Sequence, residues 1–247
     1  MKYLCDPHVI PTNTCPPDLS ELERRSREFA EYAPLIQLDI CDGVFAPVVS
    51  WPYRHGQMSE LERLYSTGAM LPCSESMQYE VHLMVSDPRQ IGALLARAGA
   101  FRVLAHVESL SDADVARDMF AQWKAAGAQE VGLSVCLDTP LDLLESFIPL
   151  CDAVQLMSIA KVGAQGQPFD ERALQRAEEL HAHYPDLMVA VDGGISEANV
   201  ELLVRAGANR LCVGSAISKA DNPASAYAKI LDRAMRGCAP RQAEVAV

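Results

Sequence analysis

No run of this sequence is apolar for long enough to cross a membrane. The N-terminal "MKYLCDPHVIPTNTCPPD" shows no apolar segment behind its single lysine, so no signal peptide is expected. Basic residues are scarce: 21 Lys and Arg stand against 33 Asp and Glu, a formal net charge of -12 with a pI near 4.9. Nucleic acid and anionic membrane surfaces are therefore not expected partners. An anionic small molecule is open, provided backbone amides or one well-placed cation capture it locally. The 8 cysteines (Cys5, Cys15, Cys41, Cys73, Cys136, Cys151, Cys212 and Cys238) include no Cys-x-x-Cys pair, and several fall in apolar runs. That pattern reads as reduced, buried or half-buried thiols in a cytoplasmic protein. No glycine-rich dinucleotide fingerprint follows the first strand-like segment, and no linker divides the chain.

What is present is alternation. Eight short strand-like runs can be read: "PHVIP" near residue 9, "LIQLDI" from Leu35, "YEVHLMV" from Tyr79, "RVLAHV" from Arg102, "EVGLSVC" from Glu130, "AVQLMSI" from Ala153, "LMVAVDGG" from Leu187 and "NRLCVGSA" from Asn209. Helical patterns lie between them. "DLSELERRSREFAEYA" opens on Asp18 or Ser20 as a cap, and "DPRQIGALLARAGA" sets Asp87 ahead of a proline in the first turn. Three such patterns stop at Ala-Gly-Ala. Residues 53–77 suggest only a short helix around Met58 to Tyr65 and an irregular stretch after it. Strand and helix repeated eight times in 247 residues, 49% of them hydrophobic, predict a single (β/α)8 TIM barrel. The barrel domain is placed at 1–236 and a frayed tail at 237–247. An open doubly wound sheet is the alternative.

Strand side chains alternate in and out. Ile36, Leu38 and Ile40 then face the helices, and Gln37, Asp39 and Cys41 face the barrel interior. The same register turns Glu80, His82 and Met84 inward in the third strand, Gln155 and Met157 in the sixth, and Ala190 and Asp192 in the seventh. Gln37, Asp39, His82 and Asp192 thus converge near the C-terminal mouth. Two carboxylates in one space shift each other's pKa unless a cation or a shared proton intervenes. The glycine turns "DGGIS" and "VGSAIS" follow the seventh and eighth strands, where barrels of this kind bind phosphate. "KVGAQGQPF", Lys161 to Phe169, reads as a loop able to close over substrate. Lys161 either reaches a phosphate from that loop or is solvated. His106 either lines the mouth or packs beneath it, and His55, His181 and His183 read as surface residues.

These motifs, in this order, resemble the ribulose-phosphate 3-epimerase family from about Val9 to Ile217. "QLDICDGVFAP" resembles the family's His-x-Asp-x-Met-Asp-Gly with its Phe-x-Pro, "HLMV" its His-Leu-Met-Val, "HVES" its His-Val-Glu, "VDGGI" its Val-Asp-Gly-Gly-Ile, and "VGSAI" its Gly-Ser-Ala. The resemblance implies inversion of the carbon beside the ketone of a ketopentose phosphate, D-ribulose 5-phosphate to D-xylulose 5-phosphate. Asp39 and Asp192 would be the acid and base on either side of a metal-stabilised enediolate. It implies a divalent cation (zinc, iron, manganese or magnesium) held by Asp39, His82 and Asp192. Phosphate would sit at Gly193, Gly194, Gly214 and Ser215, and Thr12, Met84, Met157, Gly163 and Gly166 would line the pocket.

The chain departs from the family at identifiable points. The first metal-ligand histidine is Gln37, which either adds a weak oxygen ligand or only orients Asp39, so that a weakened metal site and a metal-free one are both open. The family's Met is Cys41, its Ser-Pro-Ser is "IPTNT" with Thr12 as the hydroxyl counterpart, and the Asn after Phe-x-Pro is Val48. The lid motif Pro-Gly-Phe-Gly-Gly-Gln has become "KVGAQGQ", one residue longer. A six-carbon ketose phosphate such as D-allulose 6-phosphate, a lyase or aldolase reaction, and a non-catalytic phosphosugar-binding barrel are the alternatives. A homo-oligomer is expected.

Overall fold

The computed structural model describes residues 5–238 apart from His55 and Gln165, so the surface placement of His55 and most of the expected tail lie outside the described residues. Eight parallel strands close on themselves: β1 (His8–Asn13), β2 (Leu35–Cys41), β3 (Gln78–Met84), β4 (Ala100–His106), β5 (Glu130–Val135), β6 (Ala153–Met157), β7 (Met188–Asp192) and β8 (Arg210–Val213). β1 pairs with β2 on one side and β8 on the other, so the sheet has no edge. The chain is a single (β/α)8 barrel, and the doubly wound alternative falls.

The helices α1 (Leu19–Ala30), α2 (Met58–Thr67), α3 (Arg89–Arg97), α4 (Ala113–Ala126), α5 (Arg172–His183), α6 (Val200–Arg205), α7 (Ser215–Ser218) and α8 (Pro223–Gly237) surround it. Asp18 rather than Ser20 caps α1, accepting from the Glu21 backbone N–H at 2.8 Å. Asp87 accepts from the Arg89 N–H, and α4 stops at Gly127 with φ +130°, a conformation only glycine adopts without strain. Among the described residues no helix is long and apolar enough to cross a membrane.

Alternation along the strands sorts the core into two zones. Ile36, Leu38, Ile40, Val81, Leu83, Val154, Leu156, Val189 and Val191 belong to the apolar layer between sheet and helices. The inward residues at the N-terminal end form an ionic plug instead. Arg102, fully buried, donates to Glu130 from Nε at 2.8 Å and pairs with Glu80 through Nη1. Glu80 and Arg102 are register partners on β3 and β4, so the pair is set by strand pairing itself. The polar groups at the opposite end of the interior are those of the candidate site.

One expectation is overturned. Cys5 and Cys238 form a disulfide, while Cys15, Cys41, Cys73, Cys136, Cys151 and Cys212 are free. Closure of the barrel brings α8 against β1, so two thiols 233 residues apart meet. Spacing in the sequence carries no signal of that.

Removing one partner of the plug should strand a buried charge. Arg102→Met is expected to lower unfolding free energy by about 3–5 kcal/mol, and Glu80→Leu with Arg102→Met should recover most of it. Denaturant midpoints of the two variants check this. A single variant as stable as the wild type would refute the pairing.

Candidate active site

The C-terminal ends of β2, β3 and β7 bring Asp39, His82 and Asp192 together. A carboxylate oxygen of each acid and one nitrogen of His82 lie within 4.8 Å of one another. His82 Nδ1 is 3.3 Å from Asp39 Oδ1 and 3.5 Å from Asp192 Oδ2. Gln37 lies directly below. Its amide nitrogen donates to Asp39 Oδ1 and to Asp192 Oδ2, each at 3.0 Å, and its oxygen accepts from the Cys212 thiol at 3.0 Å. Gln155 turns its own amide nitrogen towards His82 Nδ1 at 3.2 Å and Asp192 Oδ2 at 3.4 Å.

Each acid therefore spends one oxygen on this floor. Among the described residues, Asp39 Oδ2 and Asp192 Oδ1 accept no protein hydrogen bond. Asp39 and Asp192 are 4% and 8% exposed and line the cavity above, whereas Gln37 and His82 are wholly buried and do not. Burial pushes Asp39 up to about 6; the His82 hydrogen bond opposes this and Asp192 adds to it. His82 moves up to about 10, because hydrogen bonds to Asp192 and Asp39 outweigh the burial that disfavours its charge.

The cavity is open to solvent and, with its mouth, spans about 460 Å³. Thr12, Met84, Met157, Gly163 and Gly166 line it together with both acids. Gly193, Gly194, Gly214 and Ser215 form its far wall, after β7 and β8. The Thr12 hydroxyl is buried without a hydrogen-bond partner. Gly193 and Gly194 have φ of +122° and +63°, and a Cβ on Gly194 would stand 2.6 Å from the Phe169 backbone nitrogen. Their carbonyls are occupied: Ser158 Oγ donates to Gly193 O at 2.6 Å and Asn199 Nδ2 to Gly194 O at 3.0 Å. In a trans peptide the next N–H points the opposite way, so the Gly194 and Ile195 amides turn from these partners.

The lid segment packs on the β2–α2 loop. Cys41, Ala46 and Met84 form a small apolar cluster with Cys15, Phe45, Val48 and Val162 against it. Cys41, Val48 and Val162, at three separate departures from the family motifs, therefore pack together in one cluster, which meets the cavity through Met84 and Gly163. Lys161 is exposed and lines no part of the cavity. Lys219, which sequence reasoning passed over, has Nζ 3.9 Å from where a Cβ on Gly166 would stand.

Sequence reading also missed Gln155 and Cys212 as members of the floor, although their inward register was available from period-two alternation. His106 does not line the cavity. It is buried under Phe45, with ring centroids 4.5 Å apart, and meets His82 Nε2 at 3.0 Å. Gln37, expected among the ligands, turns a donor rather than an oxygen towards the acids.

The family model of the ribulose-phosphate 3 epimerase family matches residues 13–218. The chain is 30% identical over 211 residues to the ribulose-phosphate 3-epimerase of Chlamydia pneumoniae, a match covering 83% of this chain and 82% of that protein. It is 30% identical over 202 residues to that of Synechocystis sp., covering 80% and 81%. The crystal structure of 3-hexulose-6-phosphate synthase from Salmonella typhimurium superposes with a TM-score of 0.66 at 18% identity, covering 93% of this chain and 99% of that one, a likeness of fold. Matched over most of its length by family and relatives alike, the chain belongs to the ribulose-phosphate 3-epimerase family, isomerases that act on carbohydrate phosphates.

Proposed function

We propose that this protein epimerises D-ribulose 5-phosphate and D-xylulose 5-phosphate at carbon 3 by proton transfer between two carboxylates. One observation carries the reading: two buried acids share a floor of amides and imidazole, and each leaves one oxygen open to the same cavity. A C–H bond beside a ketone is broken by a base, and inversion needs an acid on the opposite face. Asp39 at the end of β2 and Asp192 at the end of β7 supply that pair. Asp39, held up to about 6, is a carboxyl poised to take and return a proton near neutrality.

The glycine turns after β7 and β8 form the anion end of the cavity. Backbone amides at Gly194 and Ile195, with Ser215 beside them, recognise a phosphate there, and Lys219 lies by the lid to complement it. The net charge of -12 makes such local capture necessary. Thr12, with its unpaired buried hydroxyl, suits a sugar hydroxyl. The cluster of Cys41, Val48 and Val162 behind Met84 and Gly163 is the feature that favours a second substrate, a six-carbon ketose phosphate such as D-allulose 6-phosphate. Comparison of kcat/KM on the two sugars decides between them. A cytoplasmic location suits such a substrate, and a relative from Oryza sativa is a cytoplasmic isoform.

The donor set fits a divalent cation in part. Asp39, His82 Nδ1 and Asp192 converge as three ligands, which suffices for a cation with an open position. Gln37 does not complete the set, because its oxygen is held by Cys212 and its nitrogen faces both acids. When bound, the cation would offset negative charge developing on the enediolate oxygens. Gln37 and Gln155 hold the carboxylate oxygens in place in either case.

Asp39→Asn and Asp192→Asn should each slow epimerisation by several orders of magnitude without loss of fold. In heavy water, wild type should place deuterium at carbon 3 of ribulose 5-phosphate as xylulose 5-phosphate forms. A variant keeping more than about a tenth of wild-type turnover, a loss under about 1.4 kcal/mol, is not missing its acid or base. Exchange at another carbon or chain cleavage would point to a lyase, and no exchange to a binder.

Ser215→Asp sets a carboxylate against the phosphate wall. It should raise KM for the phosphorylated ketose at least about tenfold, the equivalent of about 1.4 kcal/mol, with an unchanged melting temperature. Gln37→His puts an imidazole lone pair where an amide donor now points, and should tighten manganese and zinc binding in direct titration. An unchanged affinity would contradict the geometry assigned to Gln37.

A further inference from the structure

From His82 a second chain of polar groups runs outwards past the C-terminal ends of β4 and β5. His82 Nε2 meets His106 Nε2 at 3.0 Å, and His106 Nδ1 meets Glu108 Oε2 at 3.0 Å. The other oxygen of Glu108 accepts from the Cys136 backbone N–H at 2.8 Å and from the Thr139 hydroxyl at 2.6 Å. Every proton in this chain can be assigned. A carboxylate only accepts, so His106 Nδ1 must carry a proton. A neutral imidazole then has a bare Nε2, which must accept from His82 Nε2–H. That leaves His82 Nδ1, the nitrogen facing Asp39 and Asp192, as the one that gives up its proton when a cation binds.

We infer that Glu108 is a positioning residue that sets, through His106, which nitrogen of His82 faces the two acids. It touches neither substrate nor the reacting atoms. Its effect is to hold the His82 proton on the side away from the site, so that Nδ1 can serve as a ligand to a divalent cation. Orientation of a metal-binding imidazole by a partner on its other nitrogen is a general requirement. Here the partner is a second imidazole, and the carboxylate stands one ring further out, anchored by the Cys136 backbone amide. The inference rests on the cation reading given above.

Glu108→Gln inverts the chain. Cys136 N–H and Thr139 O–H both donate to one end of the side chain, so the amide oxygen stays there and the amide nitrogen turns to His106. His106 Nδ1 must then accept, its proton moves to Nε2, and His82 Nε2 becomes the acceptor. With Nε2 accepting, the proton on His82 Nδ1 is the ring's only one, so Nδ1 cannot release it to a cation and leave a neutral ring. Long-range ¹H–¹⁵N correlation spectra of the histidine-labelled protein, recorded without added metal, read the tautomers directly.

The expected result is a protonated His82 Nε2 in the wild type and a bare one in Glu108→Gln, with His106 changing in the reverse sense. Manganese affinity, measured by titration, should fall about 10- to 100-fold. Thr139→Val loosens the same carboxylate without changing what faces His106, and should leave both tautomers as they are. A His82 Nε2 that stays protonated in Glu108→Gln, an unchanged manganese affinity, or the same tautomer change in Thr139→Val would each overturn the inference. Retained turnover in Asp39→Asn and Asp192→Asn would instead remove the epimerase reading, and would leave the tautomer result standing.

Discussion

Two carboxylates held in one nearly dry space are the constraint on which this structure turns. Ionised oxygens within 4.8 Å of one another repel by about 3 kcal/mol at the effective dielectric of a protein interior. Burial adds a desolvation cost to each. The protein answers with donors rather than distance. Gln37 bridges both acids, Gln155 supports one of them, and His82 stands between. These groups come from β2, β3, β6 and β7, and the thiol that fixes the Gln37 amide comes from β8. No open sheet would bring those five strand ends around one point. The closed barrel is thus a condition for the acid pair, as well as its scaffold.

The same reasoning explains why the barrel interior is polar at both ends without being a channel. Arg102 and Glu80 neutralise each other where the strands begin, leaving the field at the far end to the two acids. Cys212 lies between the zones, 3.0 Å from the Gln37 oxygen and 3.6 Å from Glu80 Oε1. A thiol is a weak donor that fits an otherwise apolar layer and still settles the orientation of an amide. That orientation decides whether the acids see a donor or an acceptor, and so bears directly on cation affinity.

How much of this was legible in the sequence follows from the range of each interaction. Period-two alternation needs only neighbouring residues, and it placed all eight strands and the inward set of Gln37, Asp39, His82 and Asp192. The cap at Asp18 is equally local, whereas Pro88 and not Asp87 stands at the N-cap of α3. The Gln37 rotamer is not local: it depends on Cys212, 175 positions away. The Cys5–Cys238 bond depends on closure of the entire barrel. His106 looked equally suited to the mouth or the interior, because the partners that draw it inwards, His82 and Glu108, reach it from a neighbouring strand and from a turn beyond its own. Lys219 follows β8 and meets the lid, which follows β6, because β6, β7 and β8 lie side by side in the barrel and end at the same mouth.

The departures from the family's motifs follow the same geometry. Read along the chain, Cys41, Val48 and the longer lid segment are unrelated changes at three sites. In space, Cys41, Val48 and Val162 share one apolar cluster, and a Cβ on Gly163 would stand 3.4 Å from Cys41 Sγ and 3.6 Å from Val48. A cluster packed from three segments cannot be altered at one of them alone without a void or a clash. Asp39 stands two residues before Cys41 on the inner face of β2, while Asp192 and the glycine turns after β7 and β8 line the cavity away from the cluster. A change in the cluster therefore reaches the cavity through Met84 and Gly163, while the floor that holds Asp39 and Asp192 stays as it is.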